Sequence, residues 1–503
     1  MLPLVHTVDA EAMPPDPDHP GIAALRSALW AVGYNADHVR EVFGAEGESL
    51  VPNATQVALL RRRLEPGTSL TTLLSLFLLD LPVTREDAAR ALAPLGLDAA
   101  ADMGVVRERD GAIRCGVRLH PYAGFIFACS PVPESRAANP DHVMGITRST
   151  VTLANLTVRR PVDSALDLGS GTGVQALLAS RHATRVVAVD LNPAACRFTA
   201  FNARLNRVDN VEVRQGSYFE PIGDEQFDLL VSNPPFVISP DNQFLYRDSD
   251  AQGDEVSRQV VAAAAAHLRP DGFATILVSW GRTANDDWAA RPTAWAGGLG
   301  CDALVLHQAT QSALAHSASW HAPLAGVDNL AYEAGIDRWT EHLAGLGFAA
   351  VGYGAVVLRR RDGENWLRTD ETPGTDVGPA GEQLDRIFEV EARLRASSPE
   401  DILASRPVLV PDHRLEQLMR CRDGRFEVES AVLTLEDGLP FRATVDAFNA
   451  YLLSRLDGSR TVREAVADAA VLAPEGARPA EVEAAAARSV RRMLELGFLH
   501  DGQ

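Results

Sequence analysis

Residues 165–173, ALDLGSGTG, run from an apolar segment into three glycines at alternate positions, and this stretch decides the fold. We interpret its apolar part as the first strand of a parallel sheet and Gly169, Gly171 and Gly173 as the turn at the carboxyl end of that strand. Glycines there let a ligand approach bare backbone, and doubly wound folds bind nucleosides at that sheet edge. Because a glycine-rich turn also serves as a plain connection, the motif alone is weak.

Strands and helices alternate on the carboxyl side of this turn, which is typical of a parallel sheet covered on both faces. The pattern predicts an α/β, Rossmann-like doubly wound domain. After a sixth strand at ALVLHQ (303–308), residues 309–335 resemble an inserted loop or lid. The further predicted strands are RVVAVDLN (185–192), VEVRQGS (211–217), FDLLVSNPP (227–235), FATILVSW (273–280) and FAAVGYGAVVLRRR (348–361).

The chain has 503 residues, which is too long for one ordinary core. Helical periodicity followed by short strands predicts small winged-helix-like α+β domains at both ends. The predicted division is a flexible tail (1–20), an N-terminal helical, winged-helix-like domain (21–122), the doubly wound domain (123–361), a polar Gly/Pro-rich linker (362–384) and a C-terminal winged-helix-like domain (385–503).

Composition narrows the classes of function and the compartment. The formal net charge is −20, which opposes non-specific binding to a phosphate backbone. The chain contains no lysine, so Schiff-base chemistry on a lysine is excluded. Five scattered cysteines without metal-ligand spacing indicate a reducing compartment and no structural metal. With no apolar run of membrane-spanning length, we expect a cytoplasmic protein without a membrane partner.

Asp190 ends the second predicted strand, 17 residues after Gly173. A carboxylate there can accept both ribose hydroxyls of an adenosine ligand, which leaves NAD and S-adenosylmethionine as alternatives. The same aspartate could instead cap the helix that starts at Pro193.

The fourth predicted strand ends in Asn233, Pro234, Pro235 and Phe236, and this turn separates the two cofactors. A hydride-transfer enzyme has no use for such a turn, whereas methyl transfer to a planar nitrogen does, because the nitrogen lone pair is delocalised and must be oriented. The Asn233 side-chain oxygen and the Pro234 carbonyl would each accept one N–H, the prolines would stiffen the turn, and Phe236 would stack on the planar group. A simple strand-ending turn is the alternative.

Together, LDLGSGTG, VVAVDLNP and DLLVSNPPF resemble the class I S-adenosylmethionine-dependent N-methyltransferases of the methyltransferase small domain group. That group includes release-factor glutamine N5-methyltransferases and ribosomal-RNA guanine-N2 and adenine-N6 methyltransferases. The resemblance covers roughly residues 143–361 and implies S-adenosylmethionine as the cofactor. It implies catalytic roles for the four residues of the turn, and cofactor contacts for Asp167, Gly169, Gly171, Gly173, Asp190, Leu191, Ser217 and Thr147.

Several candidates near this site keep alternatives open. Many relatives carry Asp where this chain has Ser217, so the hydroxyl or neighbouring backbone would meet the adenine. Thr147 and Arg148 either contact the methionine carboxylate or start a helix. Tyr246 and Arg247 either frame the acceptor pocket or belong to a solvated loop. Surface or core roles are expected for the lid histidines His307, His316 and His321.

The sequence gives conflicting signals about the methyl acceptor. Phe236 favours a nucleic-acid base, since the glutamine enzymes more often carry Tyr in this turn, whereas the charge of −20 disfavours nucleic acid. We therefore expect a protein or peptide amide, or a small planar nitrogen compound, with the flanking domains docking partners. A base N-methyltransferase and a non-catalytic regulator or scaffold that binds S-adenosylmethionine remain alternatives. Oligomeric state is not indicated.

Overall fold

The computed structural model describes residues 14–44, 54–131, 141–241, 253–285, 287–372, 377–473 and 476–501. The N-terminal part is a helical layer followed by two hairpins. The first hairpin joins β1 (Val106–Arg109) to β2 (Ala112–Cys115), and the second joins β3 (Arg118–Tyr122) to β4 (Phe125–Cys129). The helices are α1 (Ile22–Ala31), α2 (Ala36–Phe43), α3 (Ala54–Arg61), α4 (Ser69–Leu73), a π-helical turn (Leu74–Leu78), α5 (Arg85–Leu92) and α6 (Leu97–Asp102).

The doubly wound part is an eight-stranded sheet in the order β12-β10-β11-β9-β8-β5-β6-β7. Only β11 runs antiparallel to its neighbours among these described strands. The strands are β5 (Val162–Leu168), β6 (Ala183–Asp190), β7 (Val211–Gln215), β8 (Phe227–Ser232), β9 (Leu268–Arg282), β10 (Cys301–Ser312), β11 (Ala350–Arg360) and β12 (Leu367–Glu371). The helices are α7 (Arg148–Leu156), α8 (Val174–Ala179), α9 (Pro193–Leu205), α10 (Glu255–Ala266), α11 (Ala290–Ala296), α12 (Ala313–His321) and α13 (Asn329–Gly345), with 3-10 turns at Glu220–Ile222 and Ala322–Leu324.

The C-terminal part packs helices around a short β-pair and a long hairpin. Its winged-helix-like assignment stays a prediction. The helices are α14 (Gly381–Ala396), α15 (Pro399–Ala404), α16 (Ala447–Ser454), α17 (Val462–Ala469), a 3-10 turn (Ala470–Leu472) and α18 (Pro479–Glu495). The strands are β13 (Pro407–Leu409), β14 (His413–Arg422), β15 (Arg425–Leu435), β16 (Arg442–Thr444) and β17 (Leu499–Asp501), with β13 paired to β17.

The structure revises two expectations about connecting segments. Residues 309–335, expected to be an inserted loop or lid, are an insertion built largely of helix, because β10 continues to Ser312 and is followed by α12, a 3-10 turn and the start of α13. The expected linker 362–384 contains β12, which pairs in parallel with β10 as the eighth strand, and the first turn of α14. Its polar composition hid an edge strand, and edge strands often carry charged side chains.

Two boundaries near the N-terminus also differ from expectation. The predicted boundary at residue 122 falls inside the β3–β4 hairpin, whose second strand binds α9: the Asn202 amide accepts from Ala128 N at 2.7 Å and donates to Ala128 O at 3.0 Å. Residues 1–13 of the expected flexible tail lie outside the described residues. Residues 14–20 are described, and the Asp16 N–H donates to the Met103 carbonyl at 3.2 Å.

One core joins the N-terminal layer to the doubly wound part. Phe198, Phe201 and Leu205 on one face of α9 share a buried cluster with Leu25 and Phe77 of the N-terminal helices. Asn192 starts α9 by accepting from Ala194 N at 2.8 Å, so the helix begins directly after the cofactor-side end of β6. The helix that supports the glycine turn is therefore also the helix on which the N-terminal layer rests.

Candidate active site

A pocket of about 570 Å³ opens at the carboxyl ends of β5, β6 and β8. This is the edge at which parallel doubly wound sheets bind ligands. The volume lies within the range of small-molecule sites. Eleven of the twelve predicted site residues line its wall: Thr147, Asp167, Gly169, Gly171, Asp190, Leu191, Ser217, Asn233, Pro234, Pro235 and Phe236. The twelfth, Gly173, lies between the lining residues Thr172 and Val174, at the start of α8.

The glycine turn has left-handed backbone at all three positions, with φ of 78° at Gly169, 54° at Gly171 and 78° at Gly173. Side chains other than glycine are strained in this region. Thr199 of α9 holds the turn from below by donating from its hydroxyl to the Gly171 carbonyl at 3.1 Å. A Cβ built on Gly169 would lie 3.8 Å from the Asn233 carbonyl oxygen, so the glycine turn and the Asn-Pro-Pro-Phe turn are neighbours.

Asp190 does not cap α9, whose N-cap is Asn192, and its contact with a ribose stays a prediction. Its Oδ2 accepts from Gly171 N at 2.8 Å and its Oδ1 accepts from Asn192 N at 2.9 Å, which fixes the glycine turn and the approach to α9. A carboxylate offers about four acceptor positions, and the backbone N–H groups of Gly171, Asn192 and Leu191 use up to three of them, so acceptor capacity for a ribose hydroxyl remains. Burial raises the pKa of this carboxyl, and the bonds to backbone N–H groups act against that rise.

Asp167 has a structural role in addition to its place in the wall. Its side chain is 2% exposed and accepts from Ala176 N, in the first turn of α8, at 2.9 Å. Burial raises its pKa to about 7. Asp167 therefore caps the helix that follows the glycine turn, a function that its position within β5 did not reveal.

One side of the pocket is apolar and open. Leu191 is 52% exposed and Tyr218 is 37% exposed, and both line the pocket beside Ser217. Tyr218 has a φ of 45°, which places its side chain on a strained turn directly after Ser217. Two large exposed side chains at a polar turn provide walls for a flat ring.

The Asn-Pro-Pro-Phe turn is fixed on both sides. The Asn233 Nδ2 group donates to the Ser149 hydroxyl at 3.2 Å, so Oδ1 is the accepting atom of that amide. Phe236 N donates to the Pro234 carbonyl at 2.7 Å, which occupies one of the two lone pairs of that oxygen. Ser279 of β9 donates from its hydroxyl to the Phe236 carbonyl. Asn233 Oδ1 and the second lone pair of the Pro234 oxygen thus remain as acceptors.

The remaining candidate residues differ in where the structure places them. Thr147 starts α7 as its N-cap, accepting from Thr150 N at 3.3 Å, and it also lines the pocket, while its contact with a methionine carboxylate stays a prediction. Arg148 is the first residue of α7 and does not belong to the pocket wall. Tyr246 and Arg247 lie outside the described residues.

The lid histidines have structural partners. His307 lies 3.6 Å from Glu371, His316 is completely buried, and His321 hydrogen-bonds the Ser317 carbonyl at 2.8 Å. Across the described ranges, no three His, Cys, Asp or Glu side chains gather in a way that could hold a metal ion. No helix among those ranges is long and apolar enough to cross a membrane.

Sequence reasoning missed several residues of the wall. Ser149 lies two residues after Thr147 in a segment already connected with the cofactor, so its position was a usable signal. Met144 and Gln259 line the pocket as well, and Trp320 reaches it from α12. No sequence signal pointed to Trp320, because it lies 84 residues after Phe236 in a segment interpreted as a lid.

Comparisons with known proteins agree with this geometry. Residues 147–284 match the family described as "Methyltransferase small domain", and residues 31–116 match a "Domain of unknown function (DUF7059)". The match over residues 147–284 confirms the predicted resemblance and the doubly wound fold of that segment.

Three curated relatives carry glutamine methyltransferase names. The release factor glutamine methyltransferase of Aliivibrio fischeri is 49% identical over 77 residues, covering 15% of this chain and 27% of the relative. The release factor glutamine methyltransferase of Xylella fastidiosa (strain Temecula1) is 34% identical over 126 residues, covering 23% of this chain and 46% of the relative. The ribosomal protein uL3 glutamine methyltransferase of Bradyrhizobium diazoefficiens is 32% identical over 139 residues, covering 25% and 44%. The chain spans less than half the length of each of these relatives.

A solved structure is also similar over part of the chain. The 16S rRNA N2 G1207 methyltransferase RsmC of T. thermophilus, in complex with AdoMet and guanosine, is 17% identical, with a TM-score of 0.26. The match covers 56% of this chain and 64% of that one.

Proposed function

We propose that this protein transfers a methyl group from S-adenosylmethionine to the side-chain amide nitrogen of a glutamine in a protein or peptide. The observation that carries the proposal is Asn233, whose amide is fixed by Ser149 beside the glycine turn. The residues present fit the cofactor: three left-handed glycines admit it, Asp190 has acceptor positions for the ribose, and Leu191 and Tyr218 flank the adenine.

S-adenosylmethionine supplies a sulfonium methyl group, and its sulfur retains the electron pair of the broken carbon–sulfur bond. The chain's own part is to orient the acceptor. Asn233 Oδ1 and the Pro234 carbonyl accept the two amide hydrogens, which holds the nitrogen with its lone pair toward the donor side of the pocket. Phe236 packs on the flat amide. The amide nitrogen that receives the methyl group loses one proton to water, so no strong base is needed.

The charge of the pocket supports an amide over a nucleic-acid base. No arginine lines the pocket in the described part of the chain, and the chain has no lysine. Binding of a polynucleotide depends on cations placed against its phosphates. The relatives' names, which specify release factors and a ribosomal protein, agree with a protein acceptor.

Labelled methyl transfer tests the proposal. The protein is incubated with methyl-labelled S-adenosylmethionine and a bacterial lysate, and the product is digested with protease or with nuclease. We expect protease-sensitive label that yields N5-methylglutamine on hydrolysis. Label released by nuclease would replace the amide with a base as acceptor, and the absence of any transferred label would contradict the enzyme activity itself.

Two variants test the role of the turn. Asn233→Ala should lower transfer by about 100-fold or more, the effect of removing one preorganised polar contact, while calorimetric affinity for S-adenosylhomocysteine stays within about twofold. Ser149→Ala is the matched control, because it leaves the Asn233 amide in place without its anchor and should cost less, about tenfold. Normal transfer by Asn233→Ala would show that the proposed mechanism is wrong.

A further inference from the structure

The helices α12 and α13 form a pair that stands beside the pocket. They are inserted between β10 and β11, and β10 ends at the same sheet edge as β5 and β8. The pair is fastened to the chain that follows the Asn-Pro-Pro-Phe turn. The Trp339 indole donates to Asp241 Oδ2 at 2.9 Å, and Arg338 donates to both oxygens of Asp241 at 2.7 and 2.9 Å. Ile238 is buried against Leu343 of α13.

A chain of hydrogen bonds orients the end of α12. His316 Nε2 lies 3.0 Å from the Ile238 carbonyl, which can only accept, so Nε2 carries the hydrogen. The neutral ring therefore accepts at Nδ1 from the Tyr353 hydroxyl. The Tyr353 oxygen in turn is hydrogen-bonded by Trp320. The indole that lines the pocket is thereby connected, through two side chains, to the backbone two residues after Phe236.

The turn that follows Trp320 exposes large apolar side chains. Val327, in the connection between the helices, is 62% exposed, and Leu330, in the first turn of α13, is 82% exposed. Both lie within ten residues of Trp320. Next to them, the outer face of α13 carries exposed acids at Glu333, Asp337 and Glu341. The tip of the pair, where Trp320 lines the pocket, is therefore apolar, and the outer face of α13 is negatively charged.

We propose that the tip of the α12–α13 pair, formed by Trp320, Val327 and Leu330, is the docking surface for the protein that carries the acceptor amide. The inference rests on the proposed function and adds the chemistry of the partner. The partner presents an apolar segment flanked by basic side chains, because exposed apolar area is stabilised when it is buried and the acids of α13 attract cations. A nucleic acid would meet an acidic face.

Variants of the tip provide the test. Val327→Ser combined with Leu330→Ser should reduce the initial rate of transfer into protease-sensitive lysate material about tenfold. Higher lysate concentrations should restore the rate, because the loss is in acceptor binding. S-adenosylhomocysteine affinity should be unchanged. Val471→Ser is the matched control: its side chain is 86% exposed but lies in the C-terminal part, and its rate should equal that of wild type.

A charge variant provides a second arm. Asp337→Asn combined with Glu341→Gln should lower the rate and weaken its dependence on salt, since screened attraction no longer contributes. Tip and charge variants that both match wild type would overturn the docking proposal while leaving the proposed function intact. If wild type labels only nuclease-sensitive material, or nothing at all, the proposed function fails and the docking proposal fails with it.

Discussion

The backbone around the donor pocket depends on single residues whose replacement has distinct consequences. Gly171 and Gly173 have the same left-handed conformation but different surroundings. A Cβ at Gly173 would lie 2.8 Å from Thr199 Cγ2, whereas a Cβ at Gly171 would meet nothing within 4 Å. Gly173 is needed for packing against α9 as well as for its conformation, whereas Gly171 is needed for its conformation and faces open space.

Alanine substitutions should separate these two roles. Gly173→Ala adds a steric contact to the conformational cost of about 1–2 kcal/mol, so it should lower the free energy of unfolding by about 2 kcal/mol or more. Gly171→Ala should cost only about 1 kcal/mol. Urea denaturation without cofactor measures both values. Equal losses would mean that α9 moves aside to admit the new methyl group.

The sequence placed Asp167 at the pocket but did not reveal that its carboxylate also caps a helix. Its resemblance to a cofactor contact placed it correctly in the wall of the pocket. The structure adds the bond to Ala176 N, which makes the same carboxylate the cap of α8. A cap contributed from the preceding strand rather than from the helix start has no local sequence signature.

Among the elements, α12 and α13 differ most from expectation. The signals for helix starts were present: Ser312 accepts from Ala315 N at 3.2 Å, and Asp328 accepts from Ala331 N at 3.1 Å. The segment nevertheless resembled a loop, because the buried face of α12 is polar. His316 and Ser317 are fully buried there, so a search for apolar periodicity finds little.

The burial of His316 predicts a pH dependence for the stability of this element. Burial lowers the pKa of His316 to about 4, below its ordinary value of 6.5. Between these values the unfolded chain binds the extra proton, so stability falls as the pH falls from 6.5 to 4. The advantage of wild type over His316→Gln should shrink across that range by about 3 kcal/mol, at about 1.4 kcal/mol for each unit of pKa difference.

Urea denaturation curves of wild type and His316→Gln at pH 7.5, 5.5 and 4.5 measure this difference in the free energy of unfolding. His321 carries a like charge when protonated and acts in the same direction on His316. Other titrating groups contribute equally to both proteins and cancel in the difference. A difference in stability that stays constant with pH would show that His316 is not buried in its neutral form.

At the scale of the whole molecule, the C-terminal part is joined to the sheet by α14. The ring of Phe388 lies 5.2 Å from that of Phe273 on β9 and 4.7 Å from that of Trp366, measured between centroids. Arg160 pairs with Asp385 and Glu389 of the same helix. Since one buried cluster contains residues of both parts, the sheet and the C-terminal part should unfold together.

Phe388→Ala tests this junction. The side chain is 1% exposed, so its removal should lower the free energy of unfolding by about 3–5 kcal/mol. Wild type should unfold in one transition seen by both calorimetry and fluorescence. Val471→Ala, at a surface position in the same C-terminal part, should change stability by less than about 0.5 kcal/mol. Two separate transitions in wild type would mean that the shared core does not couple the parts.

The sequence by itself determined the doubly wound core and the residues at the strand ends that line its pocket. Both follow from local patterns: apolar strands end in Gly169, Asp190 and Asn233, and parallel strands bring their carboxyl ends to one edge. The tertiary structure alone decided the role of β12, the polar packing of α12, the contact of α9 with the N-terminal layer and the place of Trp320. These depend on pairings between residues far apart in the chain, and such pairings leave no periodicity in the sequence around either partner.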